Sequence, residues 1–584
     1  MHFLINVNSK EVIKVYRETI SGVSQGNSIY IPEASTLQPV DVIRSSVGEY
    51  YIIGDPVYHE DRDDAKDILS NDKGLGDFIE RVDGFYYIVF WSETKKELLV
   101  SSSMFGIIPV FYSFINDNLV VSSSFENVVK NTAKPLETDD LYFLEKILFN
   151  YPFLDRTCIK QIKTLNANNF LYFSEGKLKI SKHTEIADHF TSAPEPLRKT
   201  KESLAGSFVK NVKAFIPDKN NCITLTGGLD GRTVVSAALS MKKDFYTYSY
   251  GGPSDNDITI PQKISFVTKT EHKALILDEK FIVEHFWEEG KNFSKNSFGI
   301  GNVSRGHYSY AAKHFLKNTE FITSGNFGSE IFRSMKIPGV MTSEILLSIY
   351  QTGNKKELTE KIRNYFPLKY FIKENKNNLI DELSNEIFNY LDTLPKNISD
   401  NQRFSIYLFE HVFPKYFGPE ILNQRTYIKH RAPFLSFRFI TELLKTAGAG
   451  ANSDFLEKNP MKRYNGQSLY GKIMEKCDQR LLDIDLDRGY KPKYFNELFG
   501  KLKITYKYYK GKIFKSKTPR NINYQVFVKE EALRRCQLEN IESDHYDIRK
   551  LLSDYRSGEK SDDVHLFNMI SASIYMNEIR TCLK

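Results

Sequence analysis

The run Thr224-Leu225-Thr226-Gly227-Gly228-Leu229-Asp230-Gly231-Arg232-Thr233 constrains this chain more than any other stretch. Residues 222–225 before it read as a short buried strand, and residues 234–239 after it read as the start of a helix. Two adjacent glycines between strand and helix let backbone N–H groups approach an anion closely, and the helix N-terminus adds partial positive charge there. The segment therefore predicts a phosphate cradle. Thr226 and Thr233 add hydroxyls, Arg232 adds a fixed positive charge, and Asp230 offers a carboxylate to hold Mg²⁺ or pin the loop. No lysine followed by Ser or Thr closes the turn, so the loop departs from the triphosphate-binding loop built on that lysine.

The segment resembles the pyrophosphatase loop of the asparagine synthetase family, Ser-Gly-Gly-Leu-Asp-Ser, with Thr226 and Gly231 in place of the two serines. In that family the loop holds pyrophosphate while a carboxylate attacks the α-phosphorus of ATP to give an acyl-adenylate. Further segments are similar in the same order. Residues 83–91, 105–112 and 119–124 resemble an amino-terminal glutaminase-type domain, and Glu271-His272 falls where the family often has an acidic-His pair. Thr323-Ser324-Gly325-Asn326-Phe327-Gly328-Ser329-Glu330-Ile331-Phe332 is similar to the Gly-Asp-Gly-Gly-Asp-Glu-Leu-Phe segment beside the phosphates. Arg431-Ala432-Pro433-Phe434-Leu435 resembles the late Arg-Val-Pro-Phe-Leu run. The resemblance, over residues 1–495, implies ATP and Mg²⁺ as cofactors. It puts Leu225, Thr226, Gly227, Gly228, Leu229, Gly231, Arg232, Thr233, Tyr250 and Gly325 at the nucleotide. It makes Asp230 and Glu330 metal ligands, and gives catalysis to Asp230, Arg488 and Lys491.

A chain of 584 residues is too long for one core, so two or three domains are expected. Short apolar runs at 50–53, 84–91, 98–101, 110–114, 119–122 and 169–173, separated by turn residues, predict packed antiparallel sheets. After the Pro-containing stretch 191–196, strands at 223–225, 245–250 and 321–323 alternate with helices, the first running to 241. That alternation predicts a parallel sheet with its ligand at the carboxyl ends of the strands. From about 340 onward the chain reads as helical. The expected class is thus α/β. The resemblance makes the antiparallel part (1–190) a sandwich of Ntn-hydrolase type, followed by a parallel-sheet PP-loop synthetase domain (195–495) and a helical, basic extension (496–584) packed on the synthetase domain.

No apolar run reaches the roughly 18 residues of a membrane helix, and the five cysteines have no metal-ligand spacing. These features fit a soluble, reducing, cytoplasmic setting. The net charge of +7 does not by itself call for a polyanionic partner. Residues 501–520 carry Lys501, Lys503, Lys507, Lys510, Lys512, Lys515, Lys517 and Arg520 with no acid, which reads as a solvated helical face more readily than as a nucleic-acid surface.

The chain departs from the family at informative places. Its glutaminase domains use an amino-terminal cysteine as nucleophile, whereas position two is His2 and the nearest cysteine is Cys158. Ser103 stands where an aspartate is usual. Asn326 and Ser329 replace both aspartates beside the phosphates, leaving Asp230 and Glu330 to supply charge to a hard divalent ion. Lys429 replaces a glutamate. Lys472 resembles a family Gly-Lys but reads as a surface residue, and His272 reads as a structural imidazole. The expected activity is an ATP-dependent, AMP- and pyrophosphate-forming ligase. It joins a small-molecule or peptide carboxylate to ammonia or an amine without hydrolysing glutamine. Ammonia-dependent asparagine synthesis and a non-catalytic nucleotide-binding module are the alternatives, and a homodimer stays open.

Overall fold

Strand Val82–Ser92 buries nearly every residue on both faces, which requires a packed layer on each side of its sheet. In this computed structural model, residues 2–583 are described except 9–12, 19–22, 25, 71–73, 336–338, 340, 454–464, 514–521 and 559–562. The sheet containing Val82–Ser92 has six strands in the order Lys177–Lys182, Asn169–Ser174, Glu97–Ser102, Val82–Ser92, Glu49–Tyr58, Val40–Arg44, all antiparallel. A second six-stranded sheet runs Lys163–Thr164, Phe111–Ile115, Asn118–Ser122, Leu4–Asn8, Ser28–Tyr30, Lys14–Tyr16, antiparallel but for its last pair. Phe3 meets Tyr87 and Phe114 meets Phe173 between the two sheets, with ring centroids 5.4 and 6.1 Å apart. Leu4–Asn8, only an apolar run in the sequence, is an interior strand because Asn118–Ser122 and Ser28–Tyr30 pair with it on either side.

The third sheet is parallel throughout, in the order His272–Ile276, Phe245–Gly251, Asn221–Thr224, Phe321–Thr323, Lys429–Arg431. Helices Asp230–Ser240 and Asn256–Thr268 make the first two crossovers. The chain then returns to the other side of Asn221–Thr224, so strand order reverses at that strand. A crevice opens at the carboxyl ends of the strands where such a reversal occurs. Lys429–Arg431 corrects the expectation of helix throughout the remainder: three residues carry no readable period, and pairing with Phe321–Thr323 makes them a strand.

The antiparallel and parallel halves are locked together by charge. Arg431 donates from Nε to Asp55 Oδ2 at 2.9 Å and from Nη2 to Asp55 Oδ1 at 3.0 Å, a two-pronged pair that is nearly buried. Arg425 donates to Phe85 O at 3.1 Å, and the Phe437 amide donates to Asp83 Oδ1 at 3.0 Å. The last helix, Asp563–Leu583, touches both halves. Tyr575 packs on Phe125, and Ser571 accepts from the Val303 amide at 2.9 Å. Lys515, Lys517 and Arg520 of the basic tract lie outside the described residues, as do the side chains of Lys510 and Lys512. Among the described residues no helix is long and apolar enough to cross a membrane.

Removing one partner of a nearly buried pair strands the other charge. Asp55→Ala is therefore expected to destabilise the protein by about 3–5 kcal/mol, read by denaturant unfolding. An unchanged unfolding midpoint would show that the clamp contributes nothing.

Candidate active site

Asn221–Thr224 ends at the crevice, and residues 225–229 turn from it into helix Asp230–Ser240. The Leu225 amide donates to Tyr248 O at 2.8 Å, extending the strand pairing into the turn. The Gly227 amide donates to Asp257 Oδ1 at 2.9 Å, and Gly227 O accepts from the Asp487 amide at 3.1 Å. The loop is thus tied from both flanks, and the Gly227 N–H is already engaged, so it is not one of the donors open to an anion. Gly228, whose amide makes only a long hydrogen bond of 3.4 Å to Thr226 Oγ1, and the exposed Thr226 form the open part. A Cβ at Gly228 would meet nothing nearer than Thr226 Oγ1 at 3.5 Å.

Asp230 sits at the centre. One carboxylate oxygen accepts from the Tyr470 hydroxyl and the other from Ser329 Oγ at 2.9 Å. Two close approaches fix this geometry. A Cβ at Gly231 would lie 2.3 Å from Thr224 O, and one at Gly325 would lie 2.4 Å from the Gly231 nitrogen. A serine at 231 has no room here. Phe327 holds φ at +73°, a costly conformation for an aromatic residue. Its ring packs on Phe417 and Phe413, with centroids 4.2 and 5.2 Å away.

Burial raises the pKa of Asp230, opposed by the hydroxyls of Tyr470 and Ser329 and by the charges of Arg333 and Arg488. Burial, and then the charge of Asp230, pushes Glu330 up to about 7, again opposed by Arg333. The hydroxyl of Ser329, which donates to Asp230, thus opposes the rise that burial causes. Asn326 donates to Glu420 Oε1 at 3.3 Å, and Glu420 pairs with Arg305 at 3.0 Å. Asn326 is therefore backed by a carboxylate from helix Gly418–Arg425.

Several expected residues gather here and others do not. Thr226, Gly228, Leu229, Asp230, Gly231, Gly325 and Glu330 converge, and the charge of Arg488 reaches Asp230. Arg232 does not face the loop. It is fully buried and donates to Ile484 O at 2.6 Å, Asp485 O at 3.0 Å and Leu481 O at 3.4 Å, so it anchors the turn leading to Arg488. Thr233 spends its hydroxyl on Leu229 O at 2.9 Å inside the helix. Tyr250, at the carboxyl end of the neighbouring strand, shares a hydrogen bond of 2.6 Å with Tyr308. Lys491 stands 3.6 Å from Asp483. Lys472 pairs with Glu202 and Glu475, each at 2.7 Å, and Lys429 with Glu320 at 3.0 Å, so the inverted charge at 429 is neutralised locally. His272 bonds Thr247 and Ser249 at 2.9 and 3.1 Å, and burial lowers its pKa to about 4, leaving it a neutral structural group.

At the amino terminus, His2 bonds Ser123 Oγ at 3.1 Å, and burial first of all lowers its pKa to about 4. Cys158 is buried, and burial raises its thiol well above the ordinary range, so it is no substitute nucleophile. Residues 62–184 match a glutamine amidotransferase domain. The matched stretch begins downstream of position two. No curated protein matches the chain. Among solved structures, the chain is similar to the allosteric regulatory enzyme of purine biosynthesis at 10% identity, covering 42% of this chain and 50% of that one, with a TM-score of 0.17. It is similar to glutamine phosphoribosylpyrophosphate amidotransferase from B. subtilis, complexed with ADP and GMP, at 11% identity. That match covers 55% of this chain and 70% of that one, with a TM-score of 0.15.

The raised pKa of Glu330 gives a pH test. Its proton is held more tightly when folded, so its stabilising contribution is complete below the ordinary value of 4.5 and lost as pH rises through about 7. The melting temperature of the wild type, followed by calorimetry, should fall across that window more than that of Glu330→Gln. Parallel curves would mean that Glu330 titrates normally.

Proposed function

We propose that the protein is an ATP-dependent ligase that adenylates a carboxylate, releases pyrophosphate, and passes the acyl group to ammonia or an amine. What carries the reading is the seat of Asp230: a glycine turn at the strand-order reversal of a parallel sheet, pressed against Gly325 and braced by Ser329 and Tyr470. In this reading residues 195–495 form the PP-loop synthetase domain, and the resemblance to the asparagine synthetase family lies there.

The chain's own residues divide the work. Thr226 and Gly228 receive the terminal phosphates at the open part of the loop, and Arg488 and Lys491 neutralise charge that develops on them. Tyr250 and Leu225 border the nucleotide on the side of the neighbouring strand. Asp230 and Glu330, with hydroxyl and amide oxygens from Ser329 and Asn326, form an all-oxygen donor set of the kind Mg²⁺ takes, and the ion would supply charge neutralisation on the phosphates. Among the described residues no group of three or more His, Cys, Asp or Glu stands ready to bind a metal, so the phosphates themselves must complete the shell.

Residues 1–190 act in this reading as a glutaminase-like scaffold. In this reading His2, whose pKa burial lowers to about 4, does not do the work of a cysteine thiolate. The amine therefore comes from ammonia or a second substrate. The losses at Asn326 and Ser329 favour one competing reading, a binding module that holds nucleotide without turnover.

Exchange of labelled pyrophosphate into ATP, measured with Mg²⁺ and pools of carboxylic acids, separates the two. A ligase gives acid-dependent exchange that Asp230→Ala abolishes, and it releases no glutamate from glutamine. ATP binding without exchange in any pool would favour the module, and absence of ATP binding would end both readings.

A further inference from the structure

Helix Gly500–Ile513 carries apolar groups on two opposite faces. One face meets the body of the protein. A Cβ at Gly500 would fall on Tyr494 O, so the helix starts hard against the short helical turn Pro492–Asn496, and Ile504, one turn on, packs on the core. The other face points to solvent. Phe499, whose carbonyl accepts from the Lys503 amide at 3.2 Å, begins a stripe that Leu502, Tyr506 and Tyr509 continue at steps of three and four residues. These four are 64%, 62%, 64% and 49% exposed, and Leu498 beside them is 91% exposed. Single apolar side chains on a surface are ordinary, but a run of them along one helix face marks a surface that something else covers.

Charge borders the stripe on both sides. Lys501, one position before Leu502, stands on one flank, and Lys503 and Lys507, each one position past a stripe residue, stand on the other. All three are exposed. Lys503 pairs with Glu497 at 2.5 Å, whereas Lys501 and Lys507 have no ion pair among the described residues. The sequence has no acidic residue from 498 to 529, so this stretch supplies no countercharge of its own. The lysines do form the solvated face that the sequence suggests, but they frame an apolar strip. A nucleic acid would take the lysines and stack on the aromatic rings, yet it gives Leu498 and Leu502 nothing to bury against. A second copy of the chain would set lysines against lysines. A bilayer with anionic headgroups offers negative charge at the level of the ammonium groups and hydrocarbon just beneath, where the stripe would enter.

We infer that this helix is a peripheral membrane contact. The stripe from Leu498 to Tyr509 enters the headgroup layer of an anionic bilayer, and the lysines on its flanks pair with the lipid phosphates. The helix lies along the surface and does not cross it, since its other face is held by the protein at Gly500 and Ile504. Binding of this kind needs nothing from the glycine turn, so it holds for a ligase and for a nucleotide-binding module alike.

Co-sedimentation of the full chain with vesicles tests this, using phosphatidylcholine alone and phosphatidylcholine mixed with an equal amount of phosphatidylglycerol. The wild type is expected to bind the anionic vesicles and not the neutral ones. The double variant Phe499→Ser with Leu502→Ser keeps every charge and should bind at least roughly tenfold more weakly, because it loses two of the groups that enter the lipid. Lys501→Gln with Lys507→Gln should weaken binding to a similar degree and flatten its dependence on salt. Phe499→Trp removes nothing and reports the contact: Trp91 and Trp287 are buried, so a blue shift of the added emission on anionic vesicles locates the stripe in lipid. Wild-type affinity of the folded serine variant overturns the inference, because charge alone then accounts for adsorption. If that variant does not fold, the tryptophan decides, and an unshifted emission in protein that sediments with vesicles overturns it. Equal binding to neutral vesicles, or binding to neither kind, overturns it as well, and so does binding of single-stranded nucleic acid in place of vesicles.

Discussion

The site depends on the contact between two backbone segments that have no side chain to separate them. Gly231, in the first turn of its helix, lies against Thr224 O, and Gly325 lies against Gly231. Atoms this close leave no room for a methyl group, so the turn, the central strand and the segment after Phe321–Thr323 behave as one rigid body. Asp230 is the residue this contact aims. Its carboxylate meets Ser329 because Gly325 lets the following short helix come up to it, while Tyr470 reaches it from helix Ser468–Cys477. Phe327 accepts a strained backbone on the same segment, held by Phe413 and Phe417, which marks where packing has been used to fix a functional geometry.

A line of contacts runs from that point into the antiparallel half. The Ser324 amide donates to Arg431 O at 2.9 Å, and His430 bonds Ser324 Oγ at 2.9 Å. Arg431 in turn grips Asp55 with both prongs of its guanidinium. The antiparallel half thus braces the last strand of the parallel sheet, and that strand braces the segment carrying Gly325. The antiparallel half has mechanical work in this arrangement, besides any chemistry of its own.

Local signals were legible in the sequence and distant ones were not. The strand, glycine turn and helix at 221–240 stand where their apolar runs and glycines place them, and Phe321–Thr323 appears over the expected residues. The expected strand at 50–53 is the start of the longer Glu49–Tyr58, whose continuation through Gly54 and Pro56 breaks every local strand rule and holds because Val82–Ser92 pairs along its whole length. Tyr470 and Asp257 escaped notice because they reach the loop from 240 and 30 residues away. Arg232 was legible as a charge near the loop, but not its direction, which the carbonyls of 481–485 decide.

A structure of the protein with a non-hydrolysable ATP analogue tests the central claim most directly. The terminal phosphates are expected at Gly228 and Thr226, flanked by Asp230, with the base towards Tyr250. Nucleotide seated elsewhere on the molecule, or an empty crevice at saturating analogue, would contradict it.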